Sequence, residues 1–133
     1  MGRKPDETMP RRPRRDDVGS SVVEVAVLLP LMLGLLMMVV QAGLWFHVRA
    51  VMTTAANKGV DATRVDGGSA EQGEEAVADF LGNTEALDDV QIEVERGSDT
   101  ARVEVSGEVV SLLFGVPLPI TVEVAAPIED VAP

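Results

Sequence analysis

From Val25 to Val40 the chain reads VAVLLPLMLGLLMMVV, sixteen residues without one polar side chain. Extended by its flanks to Val22–Phe46, this stretch holds a single ionisable group, Glu24. As a helix rising about 1.5 Å per residue it is about 37 Å long, enough to cross a hydrocarbon core of about 30 Å with some tilt. A helix that is apolar on every side must be surrounded by lipid or by a large protein core. The residues after Phe46, in a chain of 133, are too few to wrap it. The run therefore predicts a membrane span over residues 20–46. Trp45 and Phe46 close the span, where aromatic rings favour the membrane interface.

The charges give the span a direction. Residues 1–19 contain Arg3, Lys4, Arg11, Arg12, Arg14 and Arg15, together with Pro5, Pro10 and Pro13. This leader has no apolar periodicity and reads as disordered. Basic residues before a span and few after it place the N-terminus in the cytoplasm and residues 47–133 on the other side of the cytoplasmic membrane. The chain as a whole has 22 acids against 11 bases, a net charge of −11. An acidic outer part with few aromatics is a poor match for nucleic acid or for an anionic lipid surface. The absence of cysteine excludes disulfides, thiol nucleophiles and a lipidated N-terminus.

A basic leader followed by an apolar span is compatible with three fates. Signal peptidase could cut after Ala42 and release a secreted protein. No cut would leave a single-pass signal anchor, an envelope accessory or binding protein. The third fate starts from the junction Val18-Gly19-Ser20-Ser21-Val22-Val23-Glu24. An ionisable group at the centre of a membrane helix costs about 2.5–3.5 kcal/mol, and less near an end. A cut after Gly19 would give Ser20 a protonated amine one helical turn before the Glu24 carboxylate. The two could pair at i,i+4, or across neighbouring subunits, and compensate each other in lipid. Otherwise Glu24 simply reaches water at the cytoplasmic interface.

Gly19 followed by Ser20-Ser21-Val22-Val23-Glu24 resembles the class III signal of type IV prepilins. The longer run GSSVVEVAVLLPLMLGLL is similar to the TadE-like family of tight-adherence pilus assembly proteins, in its short leader, its pair Val23-Glu24 and its later proline, Pro30. The likeness covers about residues 18–60. It departs from the commoner pattern in Asp16-Asp17 before the glycine and in Ser20 after it. The resemblance implies a pseudopilin or minor pilin role. It also implies Gly19 and Ser20 as the processing site of a prepilin peptidase, and Glu24 as the assembly residue. Its implied partners are a pilus assembly platform and other pilin-like subunits.

Read without the family, Pro30 removes one helical hydrogen bond and leaves the Ala26 carbonyl without its usual donor, which predicts a kink or a melted turn at residues 26–30. Gly34 and Gly43 form no G-x-x-x-G pair.

Beyond the span, Val48, Met52, Ala55 and Ala56 recur at helical spacing and extend the helix over residues 47–65, with Gly59 as a weak point. Asp66-Gly67-Gly68 is a turn signal. Ser69-Ala70-Glu71-Gln72 has the spacing of a capping box and starts a second helix. Its inner face is Val77, Phe80 and Leu81, and Gly82 ends it. Three alternating stretches follow: Val90, Ile92 and Val94; Ala101, Val103 and Val105; Ile120, Val122 and Val124. Period-two alternation predicts strands with one buried face. Arg96–Thr100 is a hairpin connection. The apolar segment Leu112–Leu118, broken by Gly115 and Pro117, could cover the sheet edge, touch the membrane or meet a partner.

The fold class is thus α+β: a long N-terminal transmembrane helix extending outside, a short second helix, and a three- or four-stranded antiparallel sheet. The expected organisation is a leader over 1–19, the span over 20–46, the helical extension over 47–65, a small domain over 66–127 and a loose tail over 128–133. His47 lies at the interface away from any serine or acid pattern suggestive of a triad. No nucleophile, metal cluster or phosphate loop is recognisable, so the sequence predicts no enzyme, no cofactor, and no catalytic or metal-ligating residue.

Overall fold

The computed structural model describes residues 2–5, 8–10 and 16–129, and of residues 16–18 the backbone alone. Residues 2–5 and 8–10 have no regular secondary structure. The expectations for the rest of the leader, and for residues 130–133 of the tail, lie outside the described residues. The elements are α1 (Asp16–Arg64), α2 (Ala70–Leu81), β1 (Leu87–Arg96), β2 (Thr100–Val109) and β3 (Leu118–Pro127). Together they make the α+β arrangement that the patterning predicts, with three strands in the order β1-β2-β3, antiparallel throughout. The chain divides into two compact units, Met1–Leu36 and Met37–Pro133.

In the second unit a single apolar core joins the later turns of α1, the inner face of α2 and one face of the sheet. Val48, Met52, Ala55, Ala56 and Val60 come from α1; Val77 and Leu81 from α2; Val103, Val105, Val109, Ile120 and Val122 from the sheet. All are buried because helical spacing on α1 and alternation on the strands each bring one stripe to a common side. Burying each such side chain contributes about 1.5–3 kcal/mol.

Gly59 is not a weak point of α1. It is buried, and a Cβ there would stand 2.5 Å from Val77 Cγ2 and 3.2 Å from the Gly73 carbonyl oxygen. Two glycines facing each other let α1 and α2 approach backbone to backbone. The loss of helix propensity at both is the cost of that approach.

Helix α2 starts as its sequence predicts. Ser69 Oγ accepts from the Gln72 N–H, and Gln72 Oε1 accepts from the Ser69 N–H, each at 3.2 Å. Its buried residues are Gly73, Val77 and Leu81. Phe80, expected inside, lies at the rim, 37% exposed, with Lys58 Nζ 5.4 Å from the centre of its ring. The helix has no left-handed stop: Gly82 keeps right-handed helical angles, φ −58° and ψ −19°.

Strand β1 departs from simple alternation at one point. The register with β2 shifts between Asp88 and Gln91, and Asp89 takes φ +51°. This bulge turns Val90 outward, 38% exposed, while Ile92 and Val94 remain against the core. The β1–β2 hairpin closes with the Gly97 N–H donating to the Thr100 carbonyl at 2.9 Å.

Residues 128 and 129 of the expected tail are tied down. The Ile128 N–H donates to the Asp99 carbonyl and the Glu129 N–H to the Arg64 carbonyl, at 3.0 and 3.1 Å. Arg64 Nη1 also reaches Glu129 Oε1 at 2.9 Å. Arg96 Nη1 donates to the carbonyls of Thr63 and Val65, so a side chain from β1 satisfies the end of α1.

Candidate functional site

The residues singled out by sequence all lie on the first part of α1. Helical backbone extends from Asp16 through the junction, so Gly19, Ser20 and Glu24 belong to one helix. Ser20 and Glu24 are four residues apart and share a face of it. Gly19 is the fourth residue of the helix, close to the end at which it frays most easily. Gly19 is exposed, and a Cβ there would meet nothing within 4 Å beyond its own helix. The helix continues through residues 26–30 with Pro30 inside it, so the proline is accommodated without loss of a helical turn.

Every residue from Gly19 to Val40 is exposed. Leu29, Leu31, Leu35 and Val39 are each about 60% exposed or more, although their burial against any apolar surroundings is favourable. Among the described residues this is one helix long and apolar enough to cross a membrane. Its exposed band is the surface that a bilayer or neighbouring apolar helices would cover.

The exposed band ends at Gln41. This side chain is 6% exposed and reaches the β2–β3 connection. Its Nε2 donates to the Val110 carbonyl at 3.3 Å, and its Oε1 accepts from the Leu112 N–H at 2.6 Å. From Gln41 the buried stripe runs on through Val48, Met52, Ala55, Gly59 and Thr63. Sequence reasoning missed Gln41. The available signal was its place in register with that stripe, as the first polar residue after Val40.

Trp45 is half-buried against the core, with the Arg49 guanidinium 5.5 Å from its ring centre. Phe46 stands outward, 65% exposed, its ring edge-on to Trp45 at 5.3 Å. His47 is exposed. Among the described residues, no group of three or more His, Asp or Glu side chains is arranged to hold a metal ion. Among the described residues one carboxyl is clearly perturbed. Glu71 is held below its ordinary range by its own backbone N–H and by the Ser69 hydroxyl, both part of the α2 cap.

Neither a curated protein nor a solved structure matches the chain. A family model does match, over the stretch that contains the junction, the exposed apolar run and the first turns packed against the domain. Residues 19–61 match the model of the TadE-like protein family, the family that the junction residues resembled.

Proposed function

We propose that this chain is a pseudopilin or minor pilin-like subunit of a tight-adherence pilus assembly system. It acts by structure and packing and performs no catalysis. The observation that carries the proposal is the order of features on one helix. The Gly19-Ser20 junction, near the start of the helix, is followed at about one turn's spacing by Glu24 and then by a fully exposed apolar run, and the TadE-like family model matches from Gly19 onward.

A prepilin peptidase cuts after Gly19. Helix must yield locally for a protease to reach that bond, and near its end it yields at less cost than in its middle. Removal of residues 1–19 takes away the basic leader and leaves a charged amine on Ser20. That amine and the Glu24 carboxylate neutralise each other, within one helix or between neighbouring subunits. Pairing between subunits fixes their axial register, since a mismatched pair leaves two charges in lipid. The partners are the prepilin peptidase, the assembly platform, other pilin-like subunits and the membrane itself. The protein crosses the cytoplasmic membrane once, with Met1 on the cytoplasmic side and the α+β domain outside.

The test is intact-mass analysis after co-expression with a prepilin peptidase. The expected product lacks residues 1–19, and Gly19→Val blocks its formation. Glu24→Ala is expected to be cut and inserted yet to fail in assembly. An unchanged mass would make the protein an uncleaved signal anchor. A terminus at Gly43 would mean cleavage after Ala42. Normal pilus formation with Glu24→Ala would remove that residue from the mechanism.

A further inference from the structure

The connection between β2 and β3, residues 110–117, reads VSLLFGVP and has no charged side chain. Three of its apolar side chains face outward: Leu112, Phe114 and Val116 are 53%, 96% and 59% exposed. Phe114 also has φ +57°, and Gly115 beside it φ +63°. Left-handed backbone is sterically unfavourable for any residue with a Cβ, and unusual for a bulky one. The loop therefore accepts local strain and holds an aromatic ring away from the domain's own core.

This geometry is braced. Ser111 Oγ donates to the Leu113 carbonyl at 2.7 Å and accepts from the Leu113 N–H at 3.2 Å. Gln41 clasps Val110 and Leu112 from α1. The clasp also sets the loop's level along the helix. On the N-terminal side of Gln41, Met37, Met38, Val39 and Val40 are exposed at 43–62%. The loop that carries the outward apolar side chains is thus attached at the turn where α1 loses its protein cover. The other end of the domain, where Arg64, Asp61 and Glu129 form ion pairs, is charged.

We propose that residues 112–116 form a second membrane contact, with Phe114 leading into the boundary between headgroups and acyl chains on the domain's side of the bilayer. The inference rests on the reading that α1 crosses a membrane. The occupant is lipid because Gln41, the residue that directly follows the exposed run Met37–Val40, is hydrogen-bonded to the loop at Val110 and Leu112, which puts the loop beside the start of that run. Asp88 and Glu108 line a recess beside the loop, so attraction to anionic headgroups does not drive the contact. Apolar insertion does, to the depth of about 5–10 Å typical of interfacial elements.

The chain contains no cysteine, so an introduced one reports a single place. Full-length Val116→Cys, Asp99→Cys and Leu33→Cys variants, each carrying an environment-sensitive fluorophore, are reconstituted into phosphatidylcholine vesicles with a lipid-borne quencher. At such a depth the label at 116 is expected to lose about half its emission, the label at 99 to lose none, and the label at 33 to be quenched by a deeper probe. Adding Phe114→Asp to the Val116→Cys variant should return that label to water, with an unchanged circular dichroism spectrum. A label at 116 as open to aqueous iodide as the one at 99 overturns the inference while quenching at 33 leaves the transmembrane reading intact. Shielding from iodide without lipid quenching overturns it in favour of a protein surface. A label at 33 that lipid does not quench overturns both readings.

Discussion

The facing glycines set two effects of opposite sign against each other, and Gly73→Ala measures which one wins. Replacing a glycine by alanine within a helix ordinarily stabilises it by about 1 kcal/mol. At Gly73 the new methyl would overlap Thr63 Oγ1 and stand 3.0 Å from both the Gly59 carbonyl oxygen and Val94 Cγ1. Thr63 is fully buried, and its hydroxyl donates to the Gly59 carbonyl at 2.8 Å. Rotating it away would strand a buried hydroxyl, at about 1–3 kcal/mol. Keeping it and forcing the helices apart costs about 1–3 kcal/mol in overpacking. The two are partly alternative ways to relieve one overlap, so about 3 kcal/mol opposes the gain of about 1 and leaves a net loss of about 2 kcal/mol. For a domain of this size that lowers Tm by about 8–16 °C. The assay is thermal unfolding of the full chain in detergent, followed by far-ultraviolet circular dichroism. Gly43→Ala is the control, because a methyl there meets nothing within 4 Å, and it should not lower Tm. Thr63→Ala added to Gly73→Ala should recover part of the loss, by about 0.5–3 kcal/mol of coupling. A Gly73→Ala protein that melts at or above the parent would refute the close approach of α1 and α2.

Three further outcomes are expected. Gln41→Ala removes both hydrogen bonds to the β2–β3 connection, and loss of about 1–2 kcal/mol of local stability should speed amide exchange at Leu112 by about 5–30-fold; unchanged exchange would mean the clasp does not hold the loop. Ser69→Ala deletes the α2 N-cap at a cost of about 1 kcal/mol, seen as a Tm lower by about 4–8 °C. Because the fold lowers the Glu71 pKa, its contribution to stability is fully present above the unfolded-state value and is lost as pH falls through the folded one. A carboxyl titration followed by nuclear magnetic resonance should place Glu71 lower in the native protein than in the denatured chain, and Ser69→Ala should narrow that gap.

Local order was legible wherever chemistry acts between near neighbours in the chain. The Ser69–Gln72 cap, the three strands and their hairpin follow from spacings of three residues, from alternation and from turn residues, none of which needs a distant partner. Phe80 and Val90 were misplaced because their burial depends on what lies opposite. Phe80 falls at the rim of the α2 face, and the bulge at Asp89 turns Val90 out of a pattern that would otherwise bury it. Glycine 59 reads as a defect when only helix propensity is counted, and as a contact once Gly73 stands against it.

The sequence alone determined that α1 carries an apolar run long enough to cross a membrane. It also placed Ser20 and Glu24 about one helical turn apart, directly after Gly19, because hydrophobicity and i,i+4 spacing are properties of consecutive residues. Tertiary structure decided where that cover begins. Gln41 closes on Val110 and Leu112 across about seventy positions of sequence, and Arg96 and Glu129 satisfy the far end of the same helix. Such pairings depend on the packing of helices against a sheet, which brings together residues that no local pattern connects.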